Sequence, residues 1–278
     1  MGLRTKLLLF LLFPSILHAK CYNSDPPVEL ILCWEAQEGA GTKINDYSVY
    51  NTSGEIQGAI AWVPGVKPNR TKAFSNVSSY TVTDLGDYAL SHPAAANTGI
   101  KSKKTALFNF VSKNFMVGYN FKLLNYPIGG NRAFLWYYSD IGAVDGWGLA
   151  FAAQGNFTYY QTGVAHLDNF GTFSDANPHR FFFIRVQTTG KIYGYIDGVP
   201  FSDNPFSLAA DNPSATGFLS VGYSGAANGN RFDGTWNTLA IYNNIPLNST
   251  GGVDKNKLNE FAEKEYRSVM GYDSGDSK

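Results

Sequence analysis

Carboxylates, histidines and aromatic rings are the side chains through which this chain could do chemistry, and their placement excludes more than it permits. Cleaving a glycosidic bond with retention takes two carboxyl groups about 5 Å apart. All seven glutamates lie within the first 55 residues or from Glu260 onward, and none stands between Ile56 and Asn259. Asp145 stands alone before Gly146-Trp147-Gly148, so only an Asp pair from separate strands remains for hydrolysis. Gly222-Tyr223-Ser224-Gly225 lacks the Gly-x-Ser-x-Gly spacing of a nucleophile elbow. His166-Leu167-Asp168 would put two side chains on one strand face, as a metal pair or a base with its orienter, against the ordinary reading of a surface pair. His179 abuts an apolar run and starts a strand. No Gly-rich phosphate loop precedes an internal helix.

Aromatic rings are the larger resource. Trp136, Tyr138, Trp147, Tyr159, Tyr160 and Tyr223 alternate with glycine and small residues on strands or at strand ends. Sugar rings stack on such faces while Asn, Asp and Ser read hydroxyls, although alternate aromatics in a strand also build a core. Binding residues concentrate on loops. Tyr223–Asn230 (Tyr-Ser-Gly-Ala-Ala-Asn-Gly-Asn) and Gly163–Asp175 read as such loops. The candidate ligand contacts are Trp136, Tyr138, Tyr160, His166, Asp168, Tyr223 and Asn228.

Composition sets the compartment and the class. Residues 1–19 carry Arg4 and Lys6, then an apolar run from Leu7 with Pro14 inside it, and end on Ala19: a secretory leader, too short to span a bilayer. The tail 271–278 is polar, which excludes a lipid-anchor signal, and no other stretch is apolar enough for stable membrane insertion. Formal net charge is zero, and the two basic leader residues take it to −2; with no basic block, nucleic acid is excluded as a partner. Cys21 and Cys33, an even pair in an oxidising compartment, read as a disulfide worth about 2–3 kcal/mol. Asn51, Asn69, Asn76, Asn156 and Asn248 open Asn-x-Ser/Thr glycosylation sequons.

The elements that must position these residues are strands. Hydrophobic residues make up 44% and aromatics 15%, enough for a sizeable core, while charged residues are only 16%. Short apolar or alternating runs recur about every ten residues with almost no helical period, which predicts an all-β sandwich. The expected strands are 28–34, 44–47, 55–62, 80–82, 88–90, 105–111, 115–124, 133–138, 148–153 and 157–160. They continue through 180–186, 191–196, 199–201, 217–222 and 231–242, and 64–79 reads as a long surface loop. Phe115, Val117, Tyr119 and Phe121 fall on one strand face. The exception is 253–266, where Leu258, Phe261, Ala262 and Val269 fall at helical spacing and Asp254 caps the start. Residues 20–270 read as one domain.

The order of the C-terminal strands carries a resemblance. Arg180–Val186 leads through a Gly-containing turn to Lys191–Ile196, which ends in Tyr195-Ile196-Asp197-Gly198; Gly217–Gly222 and Phe232-Asp233-Gly234 follow, before a long last strand. At the other end stand Leu30-Ile-Leu-Cys-Trp-Glu-Ala-Gln-Glu-Gly-Ala-Gly41, Asp46 and Gly54. Together they resemble the laminin-G-like, concanavalin A-like domains, and the two matches bracket residues 28–270. The resemblance implies a two-sheet antiparallel jelly-roll sandwich with a short C-terminal surface helix. It also raises calcium at a sheet edge, with Asp46 and Asn237 as ligands, although Asn237 and Thr238 replace the acidic pair usual in the family's last strand. Asp46 would equally serve as a turn cap. The function implied is a secreted, non-catalytic module that binds glycan or a glycoprotein surface. The alternatives are a structural or adhesive extracellular protein with a protein partner, and a polysaccharide-cleaving enzyme using Asp, His and Tyr.

Overall fold

Val, Ile, Phe, Tyr and Trp favour the pleated, half-buried surface of a sheet, and runs rich in them form the strands here. The computed structural model describes residues 21–22, 26–65, 88–93, 98–110, 113–124, 132–138, 146–151, 157–161, 164–167, 177–205, 216–222 and 232–269. The expected leader 1–19 and tail 271–278 lie outside them, as do the strand at 80–82 and most of the 64–79 loop. In chain order the first strands are β1 (Glu29–Glu35), β2 (Lys43–Ile44), β3 (Gly54–Gln57), β4 (Ala61–Pro64), β5 (Tyr88–His92) and β6 (Gly99–Ser102). Next come β7 (Phe115–Leu123), β8 (Arg132–Tyr138), β9 (Trp147–Phe151), β10 (Phe157–Gln161) and β11 (Val164–Leu167). The last are β12 (His179–Val186), β13 (Lys191–Ile196), β14 (Val199–Pro205), β15 (Phe218–Val221) and β16 (Gly234–Asn243), followed by helix α1 (Lys255–Val269).

These strands make an antiparallel two-sheet sandwich, as the sequence predicts. The first sheet runs β14-β13-β12-β7-β16-β5-β4, and the second β11-β10-β9-β8-β15-β6-β3-β2. Strand β16 is long enough to pair with β7 along one edge and share the other: β5 pairs with Gly234–Trp236 and β1 with Thr238–Asn243. Between the sheets, Phe115, Val117, Tyr119 and Phe121 of β7 meet Phe134, Leu149, Phe151, Phe157 and Tyr159 in one core cluster.

Strands β7, β12 and β16 are buried almost without alternation, so the first sheet must be covered on both faces. Its outer face carries Met116, Phe182, Ile184, Ala240 and Tyr242, which pack against Leu258, Phe261 and Ala262 of α1 and against Cys21 and Cys33. Those cysteines form the expected disulfide. The predicted cap also forms: the Asn256 N–H donates to Asp254 Oδ1 (2.8 Å).

An ion pair lies within this apolar layer. Arg180 is 1% exposed, and its Nε donates to Glu265 Oε2 at 3.0 Å while a second guanidinium nitrogen donates to Oε1. The third nitrogen donates to Asn120 Oδ1 at 2.9 Å. Gly118 makes the room, because a Cβ there would collide with both Arg180 and Glu265. Burial pulls the guanidinium down to about 10, so it stays charged at neutral pH and the pair is ionic.

Several expected elements move. The 55–62 strand divides into β3 and β4 in different sheets, because Gly58 takes a left-handed φ of 74° between them. The described part of the 105–111 run, 105–110, is not a strand: within it only Thr105 bridges, to Gly217, and the Asn109 N–H turns back to the Ala106 carbonyl (3.0 Å). Its apolar residues mislead because Phe108 and Phe110 plug the core from that turn. Strand β6, with glycine and lysine in alternate places, had too little apolar signal to be read. Strand β11 lies inside the expected 163–175 loop.

The Arg180–Glu265 pair gives a direct test. Replacing Glu265 by Ala strands a buried positive charge and should cost about 3–5 kcal/mol in urea unfolding. A loss below about 1 kcal/mol would put the pair on a par with exposed ion pairs and remove it as the anchor of α1.

Candidate functional site

Residues opposite one another in an antiparallel ladder share a sheet face. In the second sheet one such row reads Lys43, Glu55, Lys101, Ser220, Trp136, Gly148 and Tyr160, from β2 to β10. Phe218 and Tyr138 form the neighbouring pair on the same face. Their chain neighbours Leu219, Tyr137, Trp147 and Tyr159 point the other way, into the core. The six aromatic residues singled out above therefore divide. Trp147 and Tyr159 are core, with the Trp147 indole N–H donating to the Phe108 carbonyl at 2.8 Å. Trp136, Tyr138 and Tyr160 meet on the outer face, where Phe218 joins them in a separate cluster. Tyr223 lies outside the described residues.

The cluster is built in two depths. Trp136 is 8% exposed and Tyr138 6%, while Tyr160 and Phe218 are only partly buried. The more accessible rings of the face are thus Tyr160 and Phe218, backed by Trp136 at 5.0 Å and Tyr138 at 6.2 Å between ring centroids. Gly148 sets the depth of Trp136: any Cβ there would enter the indole ring. The Trp136 Nε1–H and, two residues along β10 from Tyr160, the Thr158 Oγ1 are buried without a hydrogen-bond partner. Burial raises the Tyr160 hydroxyl above its ordinary pKa, so it stays neutral and able to donate at physiological pH. Lys101 Nζ stands 3.7 Å from the Phe218 ring centroid and 6.0 Å from that of Tyr138, and Lys104 Nζ 5.8 Å from Phe218.

The other expected residues fall elsewhere. His166 stands opposite Tyr159, one ladder position off the Trp136 row, and Asp168 and Asn228 lie outside the described residues. Asp46 serves its own loop. Its Oδ1 accepts from the Cys33 and Ser48 N–H groups (both 2.8 Å), and its Oδ2 from Ser48 Oγ (2.8 Å) and the Thr52 N–H (2.6 Å). Asn237 occupies the irregular step in β16, its backbone carbonyl accepting from the Ala36 N–H (2.8 Å), its buried Oδ1 unpartnered. A calcium ion needs six to eight oxygen ligands, and an Asp46 carboxylate already accepting four hydrogen bonds does not fit that role. Cys21, Cys33 and Glu35 are close enough to suggest a metal group, but the disulfide consumes both sulfurs. Of the sequons, Asn51 is exposed with a left-handed φ of 50°. Asn248 Oδ1 accepts from the Thr250 N–H, Thr250 Oγ1 and the Gly252 N–H. Asn69, Asn76 and Asn156 lie outside the described residues.

Sequence reasoning missed Phe218 and Lys101. Their signal was the alternation in Gly217–Gly222 and the lysines at 101, 103 and 104, which mean little until the register brings β6, β15 and β8 side by side.

No family model matches the sequence, and no curated protein matches it. The fold does match solved structures. The binding domain of Paraclostridial Mosquitocidal Protein 1 aligns at 15% identity and a TM-score of 0.58, over 86% of this chain and 52% of that one. Domain 4 of AbnA, a GH43 extracellular arabinanase from Geobacillus stearothermophilus, in complex with arabinotriose, aligns at 14% identity and 0.56, over 84% and 98%. The binding domain of botulinum neurotoxin DC, in complex with rat synaptotagmin II, aligns at 10% identity and 0.56, over 86% and 51%. The chain spans about half the length of the two toxin binding domains and nearly all of the arabinanase domain. At these identities the likeness is one of fold.

Gly148 supplies the local test. Gly148→Ala forces Trp136 off its seat and should cost about 1–3 kcal/mol, with a changed near-UV circular dichroism spectrum. An unchanged spectrum and stability would show that Trp136 is not seated on that glycine.

Proposed function

We propose that this chain is a secreted, non-catalytic recognition domain of laminin-G-like type that binds glycan through the outer aromatic face of its second sheet. The observation that carries the reading is the ring pair Tyr160 and Phe218, partly exposed on a rigid sheet and backed by Trp136 and Tyr138. A sheet face turned to water is ordinarily polar, and a cluster of rings there suits the apolar face of a sugar. The missing glutamates between Ile56 and Asn259 support binding without cleavage. The leader and the disulfide support export. Among structural neighbours, the arabinanase domain holds arabinotriose, which supports a glycan as ligand on this fold. The neurotoxin domain with synaptotagmin II bound favours a second reading, a protein partner.

The test is binding of the oxidised chain from Lys20 onward to a glycan array, with calcium and with chelator. Specific spots are expected, equal in both buffers because Asp46 is committed to its loop. Tyr160→Ala and Phe218→Ala should each weaken binding roughly 3- to 10-fold, the value of one stacked ring. A blank array overturns the glycan reading in favour of the protein partner. Loss of binding with chelator would restore a calcium site.

A further inference from the structure

We infer that the aromatic face takes an acidic sugar, a ring carrying one carboxylate, whose charge is received by Lys101 and Lys104. The inference rests on the glycan reading above and names the class of glycan.

The ammonium groups are placed by the sheet. Lys101 lies on the Trp136–Tyr160 row, and its Nζ stands 3.7 Å from the Phe218 ring centroid. A cation over a ring face is held there by the ring quadrupole, so this charge waits beside the aromatic surface instead of ranging through solvent. Lys104 comes from the loop after β6 and brings a second ammonium to within 5.8 Å of the same ring. Across the ladder, Glu55 lies between Lys43 and Lys101.

The neutral groups suit the same ligand. Trp136, more than nine-tenths buried within this cluster, keeps an indole N–H with no acceptor, and Thr158 Oγ1 on β10, two strands away, is likewise unpartnered. An indole nitrogen only donates, so its complement is an acceptor such as a sugar hydroxyl, ring oxygen or carboxylate. Ring faces, a donor and a confined positive charge on one surface match a pyranose that is apolar on one side and anionic at one substituent. A densely sulfated polymer would ask for a broad basic patch, whereas here the two ammoniums converge on one ring.

The experiment uses the oxidised chain and a set of uronate- and sialate-terminated oligosaccharides, each beside its carboxyl-methyl ester, with sulfated oligosaccharides alongside. The acid forms should bind at least about 10-fold more tightly than their esters, with the preference shrinking between about 0.05 and 0.5 M salt. The double variant Lys101→Gln, Lys104→Gln should erase the preference, bringing acid affinity down to that of the esters, with a retained cooperative unfolding transition as the check on folding. Equal affinity for acids and esters in the parent chain overturns the acidic assignment and leaves the glycan reading standing. Binding confined to sulfated oligosaccharides overturns it in favour of sulfate. Absence of binding to every sugar in the set overturns the glycan reading and this inference with it.

Discussion

The structure depends on one constraint: strands β7, β12 and β16 are apolar on both faces, so the first sheet must be covered twice. Its inner face finds the second sheet. Its outer face is covered, among the described residues, by the disulfide segment and α1. Hydrophobic burial alone does not fix where a helix sits along an apolar sheet, since it is non-directional. The Arg180–Glu265 fork supplies direction: a guanidinium on β12 accepts one helix position and one rotation. Gly118, facing Phe182 on one side and Ala240 on the other, opens the space between strands into which that fork fits.

Sealing one sheet makes the two outer faces unlike each other. The first sheet ends in a helix whose exposed side is a ladder of ion pairs, Glu260 with Lys257 and Lys264 and Glu263 with Arg267. Such solvated pairs carry little energy and present no apolar surface. The second sheet has no helix over it among the described residues, yet its outer face bears Trp136, Tyr138, Tyr160 and Phe218. The recognition proposed above rests on this aromatic face. The rigid sandwich beneath it holds the rings at fixed spacing, so little ordering accompanies contact.

Period two carried most of the fold into the sequence. Phe115, Val117, Tyr119 and Phe121 declare the inner face of β7 by spacing alone, and Leu258, Phe261 and Ala262 declare the packed face of α1. Local patterns failed where the reason for a residue was distant. Phe108 and Phe110 read as strand because they are apolar, but they are apolar to fill the end of the core. Glu265 gave no sign of its role, because its partner is 85 residues away. The candidate site was half legible: the rings at 136, 138 and 160 were visible as aromatics, whereas Trp147 and Tyr159 looked identical and are core. Separating them takes the register, which no spacing rule within one strand provides.

That register is itself set by one irregularity. Strand β8 slips against β9 between Ala133 and Leu135, so Phe134 adds a residue on one side only. Such a bulge resets the alternation of side chains along the strand. With strict alternation Phe134 would stand on the outer face with Trp136 and Tyr138. Instead Phe134 and Leu135 both turn inward, Phe134 packing against Phe151 and Phe232 at 6.2 and 5.8 Å. A one-residue change in pairing beyond this point would exchange Trp136 and Tyr138 for Leu135 and Tyr137, dismantling face and core together. The aromatic face and the core are thus two readings of the same strands, and the bulge at Phe134 decides which ring belongs to which.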